Sequence, residues 1–153
     1  MRSEAAANAL VLTGSAALLG GALAFQYLGG LYPCEMCLWQ RWPHVAALGL
    51  GLLAWGLRSN RAVVALAALA VLVSAALGLF HAGVELKWWE GITACSGGSV
   101  GGSQADILAS IVNTPLVQCD AVAWSLFGLS MAGWNAVLSF GIGGGALWLL
   151  GRR

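Results

Sequence analysis

The feature that most constrains this chain is the near absence of charge across long apolar stretches. Of its 153 residues, 59% are apolar and only 8% are charged, against about 45–50% and about 25% in an ordinary soluble domain. So few charges cannot solvate a globular surface. The formal charge of +1 is scattered and gives no reason to expect nucleic acid or an acidic substrate. The apolar residues fall into four blocks, at about 9–28, 42–57, 62–80 and 132–150. A helix rises about 1.5 Å per residue, so about 20 residues, with a range of about 17–25, cross the hydrocarbon core. Blocks one, three and four meet that length, whereas block two is short unless it begins before Trp42. Irregular backbone cannot span, because unpaired amides are too costly in lipid. The expected fold is an all-α membrane protein, one domain over residues 1–153 built as a four-transmembrane-helix bundle. The alternative for block one is a cleavable signal peptide with Arg2 as its basic region. Its apolar run exceeds the usual ~7–15 residues, and no small-x-small site closes it.

Parity gives the topology. Two spans separate the segment at 29–41 from the segment at 82–131, so both loops share one side. They hold all four cysteines, Cys34, Cys37, Cys95 and Cys119. The other side carries Arg2, Arg58, Arg61, Arg152 and Arg153, while the cysteine side has only Arg41 and Lys87. The positive-inside rule places both termini in the cytoplasm. The cysteines then face an oxidising compartment, where disulfides persist.

In the short first loop, Gly29-Gly30 ends helix one and Pro33 resists its continuation, which holds Cys34 and Cys37 close to the lipid headgroups. The second loop is long. Lys87-Trp88-Trp89-Glu90 reads as an interfacial anchor, and the Gly/Ser run at 96–103 as a flexible linker. Ser103, with Asp106 three residues on, reads as the start of a short surface helix whose apolar face is Ile107, Leu108, Ile111 and Val112. A disulfide between Cys95 and Cys119 would be loosely constrained, and so labile and reactive.

Cys34-Glu35-Met36-Cys37 is a CxxC pair with Arg41 four residues on. The thiolate is the reactive form, and CxxC motifs and nearby cations lower cysteine pKa values. If the chain is helical at Cys37, Arg41 shares its face; Pro43 instead favours a helix that starts near Trp42 or is kinked. His81, at the end of block three, is either an interfacial polar residue or part of a site. Three other readings compete with redox chemistry for the cysteines. A four-cysteine zinc site usually pairs two tight knuckles, which the Cys95–Cys119 spacing does not offer. A structural staple in each loop gains little across a loop as short as CxxC. A metal-binding or assembly role would leave the cysteines non-catalytic. His44 is assigned no role. Trp39, Trp42, Trp124 and Trp134 read as belt residues, and the glycines at 14, 20, 21, 49, 51 and 143–145 as close-packing points between helices.

The pattern resembles the DsbB family of bacterial inner-membrane disulfide-generating proteins. The resemblance rests on Cys34-Glu35-Met36-Cys37-Leu38-Trp39-Gln40-Arg41, on His81 ahead of Cys95, and on Cys119-Asp120 followed by Trp124 to Asn135. It covers essentially the whole chain. It implies a four-helix bundle that takes electrons from a reduced DsbA-like periplasmic oxidant and passes them to a membrane quinone, ubiquinone or menaquinone. Carried over, Cys95 is the cysteine attacked by the partner, Cys119 is its disulfide mate and can bridge to Cys34, and Cys37 is the quinone-proximal thiolate. Arg41 polarises the quinone and His81 lies near it. No resident metal is implied. The glycine-rich run after Cys95 departs from the family pattern. In the related vitamin K epoxide reductase design the loop pair precedes CxxC, whereas here CxxC comes first.

Overall fold

The computed structural model describes residues 2–92 and 117–152. Cys95, the Gly/Ser run and the expected surface helix lie outside the described residues. Four long helices dominate: α1 (Arg2–Tyr27), α2 (Glu35–Gly56), α3 (Arg61–Glu85) and, after a small hairpin, α4 (Met131–Gly151). Among the described residues α1 (from Ser3), α3 and α4 are long and apolar enough to cross a membrane. The first half of α2 carries Glu35, Gln40, Arg41 and His44, which dilute its hydropathy.

Helix two begins at Glu35 rather than near Trp42, because Cys34 caps it. Cys34 is extended (φ −74°, ψ 171°) and its Sγ accepts the Cys37 N–H at 3.2 Å, filling the place that Ser or Asp usually takes. Glu35 adds an acid to the first turn, where the helix dipole favours it. Pro43 lies inside the helix without ending it. It has no N–H to give the Trp39 carbonyl, and the adjacent Gln40 carbonyl takes a hydrogen bond from Ser74 Oγ at 2.8 Å. Helix three runs past its apolar block to Glu85, so His81 lies inside the helix, one turn before its end, buried to 2% exposure.

Helices α2 and α3 end alike. Ser59 N–H bonds to the Ala54 carbonyl and Arg58 N–H to Trp55; Trp88 N–H bonds to Gly83 and Lys87 N–H to Val84. Both are Schellman caps, with Arg58 (φ 56°) and Lys87 (φ 60°) in the left-handed region that glycine usually occupies. Asn60 then caps α3, its Oδ1 accepting from Ala62 N and Val63 N. Before α4, β1 (Ser125–Leu126) pairs antiparallel with β2 (Leu129–Ser130). Phe127 and Gly128 both have positive φ, the geometry of a two-residue type I′ turn.

Helix α3 packs on α2 and α4, and α1 packs on the same two. At one end the core is small and apolar: Ala7 and Val11 of α1, Ala47 and Ala54 of α2, Val64, Ala67, Ala68 and Val71 of α3, Ala146 and Leu150 of α4. The expectation for the glycines holds in part. A Cβ on Gly14, Gly51 or Gly143 would meet a neighbouring helix within 3 Å, whereas Gly20, Gly21, Gly49 and Gly144 have open space.

Candidate active site

The other end of the bundle is polar. The cap that starts α2 also places its two sulfurs together, with Cys34 Sγ 2.8 Å from Cys37 Sγ. Cys34 is buried, at 5% exposure, against Met36 and Val84, and Cys37 and Cys119 pack on the same cluster. His81 Nε2 lies 3.6 Å from Cys34 Sγ and 3.1 Å from the Cys119 carbonyl oxygen. Four of the residues expected to form a site, Cys34, Cys37, Cys119 and His81, therefore meet at one point. The Cys34 thiol donates to Cys37, which draws the Cys37 thiol down to about 5 and pushes Cys34 up. Burial opposes the shift at Cys37, and His81 assists it. The first turn of α2, where Cys37 sits ahead of the apolar run, favours a thiolate for the further reason that the helix dipole is positive there.

Arg41 shares the helix face of Cys37, as a helical reading of the motif predicts. Its guanidinium crosses to α1, donating to Gln26 Oε1 and, at 3.5 Å, to the Ala22 carbonyl. Between α1, α2 and the end of α4 lies a cavity of about 360 Å³. Cys34, Cys37, Arg41 and His81 reach it, and Leu18, Phe25, Tyr32, Trp124, Trp134 and Leu138 supply much of its apolar wall. Apolar walls with a few convergent polar groups are what a small, flat ligand needs. Trp124 and Trp134 are thus more than belt residues. Trp124 packs on Phe25 at 5.0 Å between ring centroids, and Trp134 Nε1 donates to the Leu126 carbonyl at 3.0 Å. Trp42, 71% exposed, faces outward as a belt residue does.

Sequence reasoning missed a buried hydrogen-bond chain behind the sulfurs. Gln40 Nε2 donates to the Met36 carbonyl (3.2 Å) and contacts His81 Nδ1 (2.8 Å). Asn135 Nδ2 donates to Gln40 Oε1 (2.9 Å) and to the Ser74 carbonyl (3.3 Å). Asn135 Oδ1 meets His44 Nε2 at 3.2 Å and accepts from Ser139 Oγ at 3.2 Å, and His44 Nδ1 meets Ser15 Oγ at 3.3 Å. His44, assigned no role from sequence, is a buried link in this chain. The available signal was the presence of polar side chains inside apolar blocks, which are functional candidates by default. The backbone carbonyls fix every donor. Because the Met36 and Ser74 carbonyls can only accept, both amide orientations follow, and His81 Nδ1 must accept from Gln40. His81 Nε2 then carries the hydrogen, which the Cys119 carbonyl receives.

Cys34, Cys37 and His81 also offer three ligand atoms within 4.8 Å of one another. In a tetrahedral zinc site, bonds of about 2.3 Å hold two sulfurs roughly 3.7 Å apart. The 2.8 Å separation here fits exchange between the sulfurs better than shared metal ligation. At the rim, Lys87 pairs with Asp120, which holds the Asp120 carboxyl below its usual range. Trp89 stacks on Phe80 and donates to the Phe80 carbonyl, so the expected anchor also braces the end of α3.

Comparison with known proteins points the same way. A family model described as "Disulfide bond formation protein DsbB" matches residues 4–149. A "Disulfide bond formation protein B" of Polaromonas naphthalenivorans (strain CJ2) is 32% identical over 158 residues, covering 94% of this chain and 89% of that protein. Another so named, from Azoarcus sp. (strain BH72), is 32% identical over 149 residues, covering 90% and 87%. One from Shewanella sp. (strain MR-4) is 46% identical over 74 residues, covering 48% and 42%. No solved structure matches the chain.

Proposed function

Since this chain belongs to the DsbB family of disulfide bond formation proteins, a multi-pass membrane family of disulfide-forming oxidoreductases, we propose that it is a quinone-linked dithiol oxidase. In this reading it reoxidises a DsbA-like, thioredoxin-fold periplasmic oxidant and sends the electrons to ubiquinone or menaquinone in the bacterial inner membrane. Helix α2 is the fourth span from about Trp42, both termini are cytoplasmic, and the cysteines are periplasmic. The observation that carries the reading is that a CxxC pair, Cys34 buried and Cys37 half-buried, opens onto an apolar cavity that Arg41 and His81 also reach.

The cavity residues fit a quinone. Phe25, Trp124 and Leu138 offer flat apolar contact to a ring, and Arg41 offers a permanent cation to a carbonyl oxygen. A bound quinone supplies a two-electron, two-proton sink. The chain's own part is thiol exchange. The partner attacks Cys95, and Cys119 leaves as a thiolate and attacks Cys34. Cys37 is released as a thiolate beside Arg41; once the partner's second thiol has freed Cys95, Cys95 displaces Cys34 from Cys119, and the Cys34 thiol and Cys37 thiolate would then give two electrons to the quinone as their disulfide re-forms. His81, fixed as an Nε2–H donor, holds the Cys119 backbone beside Cys34, and the two cysteines pack on one cluster. Exchange through mixed disulfides needs no other group.

The test is partner oxidation and quinone reduction by purified protein in detergent, given reduced DsbA-type partner and a soluble quinone. Cys95→Ser should lose partner oxidation and Cys37→Ser should lose quinone reduction. Wild type with neither activity above background sinks the reading, and full activity in both variants sinks the role assignments.

A further inference from the structure

Glu85 has no part in that scheme, yet its side chain is only 8% exposed and lies in the wall of the same cavity, one helical turn beyond His81. Its Oε1 is 3.9 Å from His81 Nε2. Its Oε2 is buried with no hydrogen-bond partner among the described residues. An unpartnered carboxylate oxygen is costly to bury, and next to lipid it marks a candidate for function.

Dithiol oxidation releases a proton, and the structure leaves few groups to take it. His81 is committed at both ring nitrogens, accepting from Gln40 at Nδ1 and donating to the Cys119 carbonyl from Nε2. Protonating Nδ1 would set two donors against each other and break the Gln40 link. Arg41 is permanently charged and accepts nothing. His44 is bonded at both nitrogens by Ser15 and by Asn135 and Ser139. The titratable or charged groups around Glu85 are then His81 on its own helix and Cys34, Cys37 and Arg41 at the start of α2, all lining the same cavity; the Ser130 hydroxyl, ahead of α4, lies near it without titrating.

We propose that Glu85 is the proton carrier of the CxxC pair, taking the Cys34 thiol proton as the disulfide forms and releasing it into the cavity. The inference rests on the quinone reading for the identity of the final acceptor. Closing the disulfide breaks the Cys34 S–H bond and joins the two sulfurs. Two electrons leave for the quinone. With Cys37 already a thiolate, one proton leaves with them. That proton protonates the Glu85 carboxylate, which delivers it to the cavity and is a carboxylate again. The second proton of the quinol comes from the aqueous side, where the partner's dithiol gives up its protons as it is oxidised.

The experiment compares wild type with Glu85→Gln, full length in detergent, with a thermal melt to show that both fold. On quinone-free protein, where no acceptor in the cavity takes the proton on from Glu85, infrared difference spectra between the dithiol and disulfide forms should contain a protonated-carboxyl signal in wild type. That signal should be missing from Glu85→Gln. With partner and soluble quinone, Glu85→Gln should turn over about 100-fold more slowly, the scale of a lost general acid–base group. Its rate should also fall with rising pH where wild type is flat, because the proton must then come from the medium. Equal rates and pH profiles, or a wild-type spectrum without a carboxyl change, overturn the proposal. If wild type itself reduces no quinone, the quinone reading fails, and the infrared signal alone decides whether Glu85 exchanges a proton with the cysteines. Should Glu85→Gln fail to fold, the wild-type spectrum and its shift in D2O decide the matter without it.

Discussion

The two ends of the bundle are held together by different chemistry. At the end that carries Arg58 and Arg61, alanines and valines with almost no exposed surface fill the space between helices, and Gly143 lets α4 approach Leu72 and the Ala68 carbonyl. At the cysteine end the corresponding positions are Ser15, Gln40, His44, Ser74, His81, Asn135 and Ser139, tied by directed hydrogen bonds. Small-residue packing is sufficient to join helices in lipid. A polar chain in the same setting adds little net stability, because its members also find partners in the unfolded state. What it adds is orientation: it gives each of His81's two nitrogens one fixed role beside two sulfurs. The difference teaches that one end exists to hold the bundle and the other to hold a tautomer.

Of the changes that separate the two ends, the largest expected effect comes from cutting the polar chain at its centre. Gln40→Leu removes the donor to His81 Nδ1 and the acceptor of Asn135 Nδ2. Two buried groups lose partners, at a cost of about 1–3 kcal/mol each. His81 becomes free to switch tautomer, so quinone-linked turnover should fall at least about tenfold, as for a misplaced catalytic group. Chemical denaturation and the turnover assay together check this. Gln40→Glu, which can still accept from Asn135, should retain more stability than Gln40→Leu. A Leu variant with wild-type turnover would show that the chain is only structural.

The opposite end should behave in reverse. Gly143→Val places a Cβ 2.7 Å from Leu72 Cγ and 3.0 Å from the Ala68 carbonyl oxygen, a backbone atom that cannot move aside. Overpacking of this kind costs about 1–3 kcal/mol. Turnover per folded molecule should stay within about twofold, since no hydrogen bond of the polar chain is touched. Equal losses of turnover and stability in Gly143→Val would erase the distinction between the ends.

How much of this was legible in the sequence depends on which force set each feature. The spans at α1, α3 and α4 follow from transfer free energy summed over some twenty residues, which any sequence window reports. The meeting of Cys34, Cys37 and Cys119 at one end of the bundle agrees with the expectation from parity. The start of α2 stays open in the sequence because a sulfur N-cap and an internal proline give opposite signals, and only tertiary context, here Ser74 against the Gln40 carbonyl, decides between them. Cys34, Cys37, Cys119, Arg41 and His81 were readable as types of reagent. The partners that orient them, Gln26, Gln40 and Asn135, were not, because each acts through a contact between residues far apart in the chain. His44 was passed over for the same reason.

A titration of reactivity sharpens the comparison without altering the fold. Cys37, lowered to about 5 by the Cys34 hydrogen bond with His81 assisting, should be alkylated by iodoacetamide in the reduced protein along a curve that rises through about pH 5. The thiolate is the nucleophile, so the rate should fall below that pH and plateau above it. The sign for stability is the same. A thiol depressed in the folded state adds stability above its unfolded value of about 8.5, and that contribution is lost as pH falls through about 5. Gly143→Val should leave the alkylation midpoint in place, whereas Gln40→Leu should raise it as His81 ceases to be a fixed donor. A midpoint near the free-cysteine value in wild type would mean that the first turn of α2 does not activate Cys37.

The smallest expected effect lies at the rim, where Lys87 and Asp120 are joined across the gap between α3 and the segment that carries Cys119. Both side chains are about half exposed or more, so solvent screens the pair and its contribution to stability is slight. Its position matters more than its strength, since Asp120 directly follows the residue whose carbonyl His81 holds. Asp120→Asn should leave the melting temperature unchanged and slow turnover by about threefold or less at low salt. The deficit should vanish at 0.5 M salt, where the wild-type pair is itself screened, with a Debye length of about 4 Å. Turnover that falls as far as in Gln40→Leu would instead make the rim pair, rather than the buried chain, the element that holds Cys119 over Cys34.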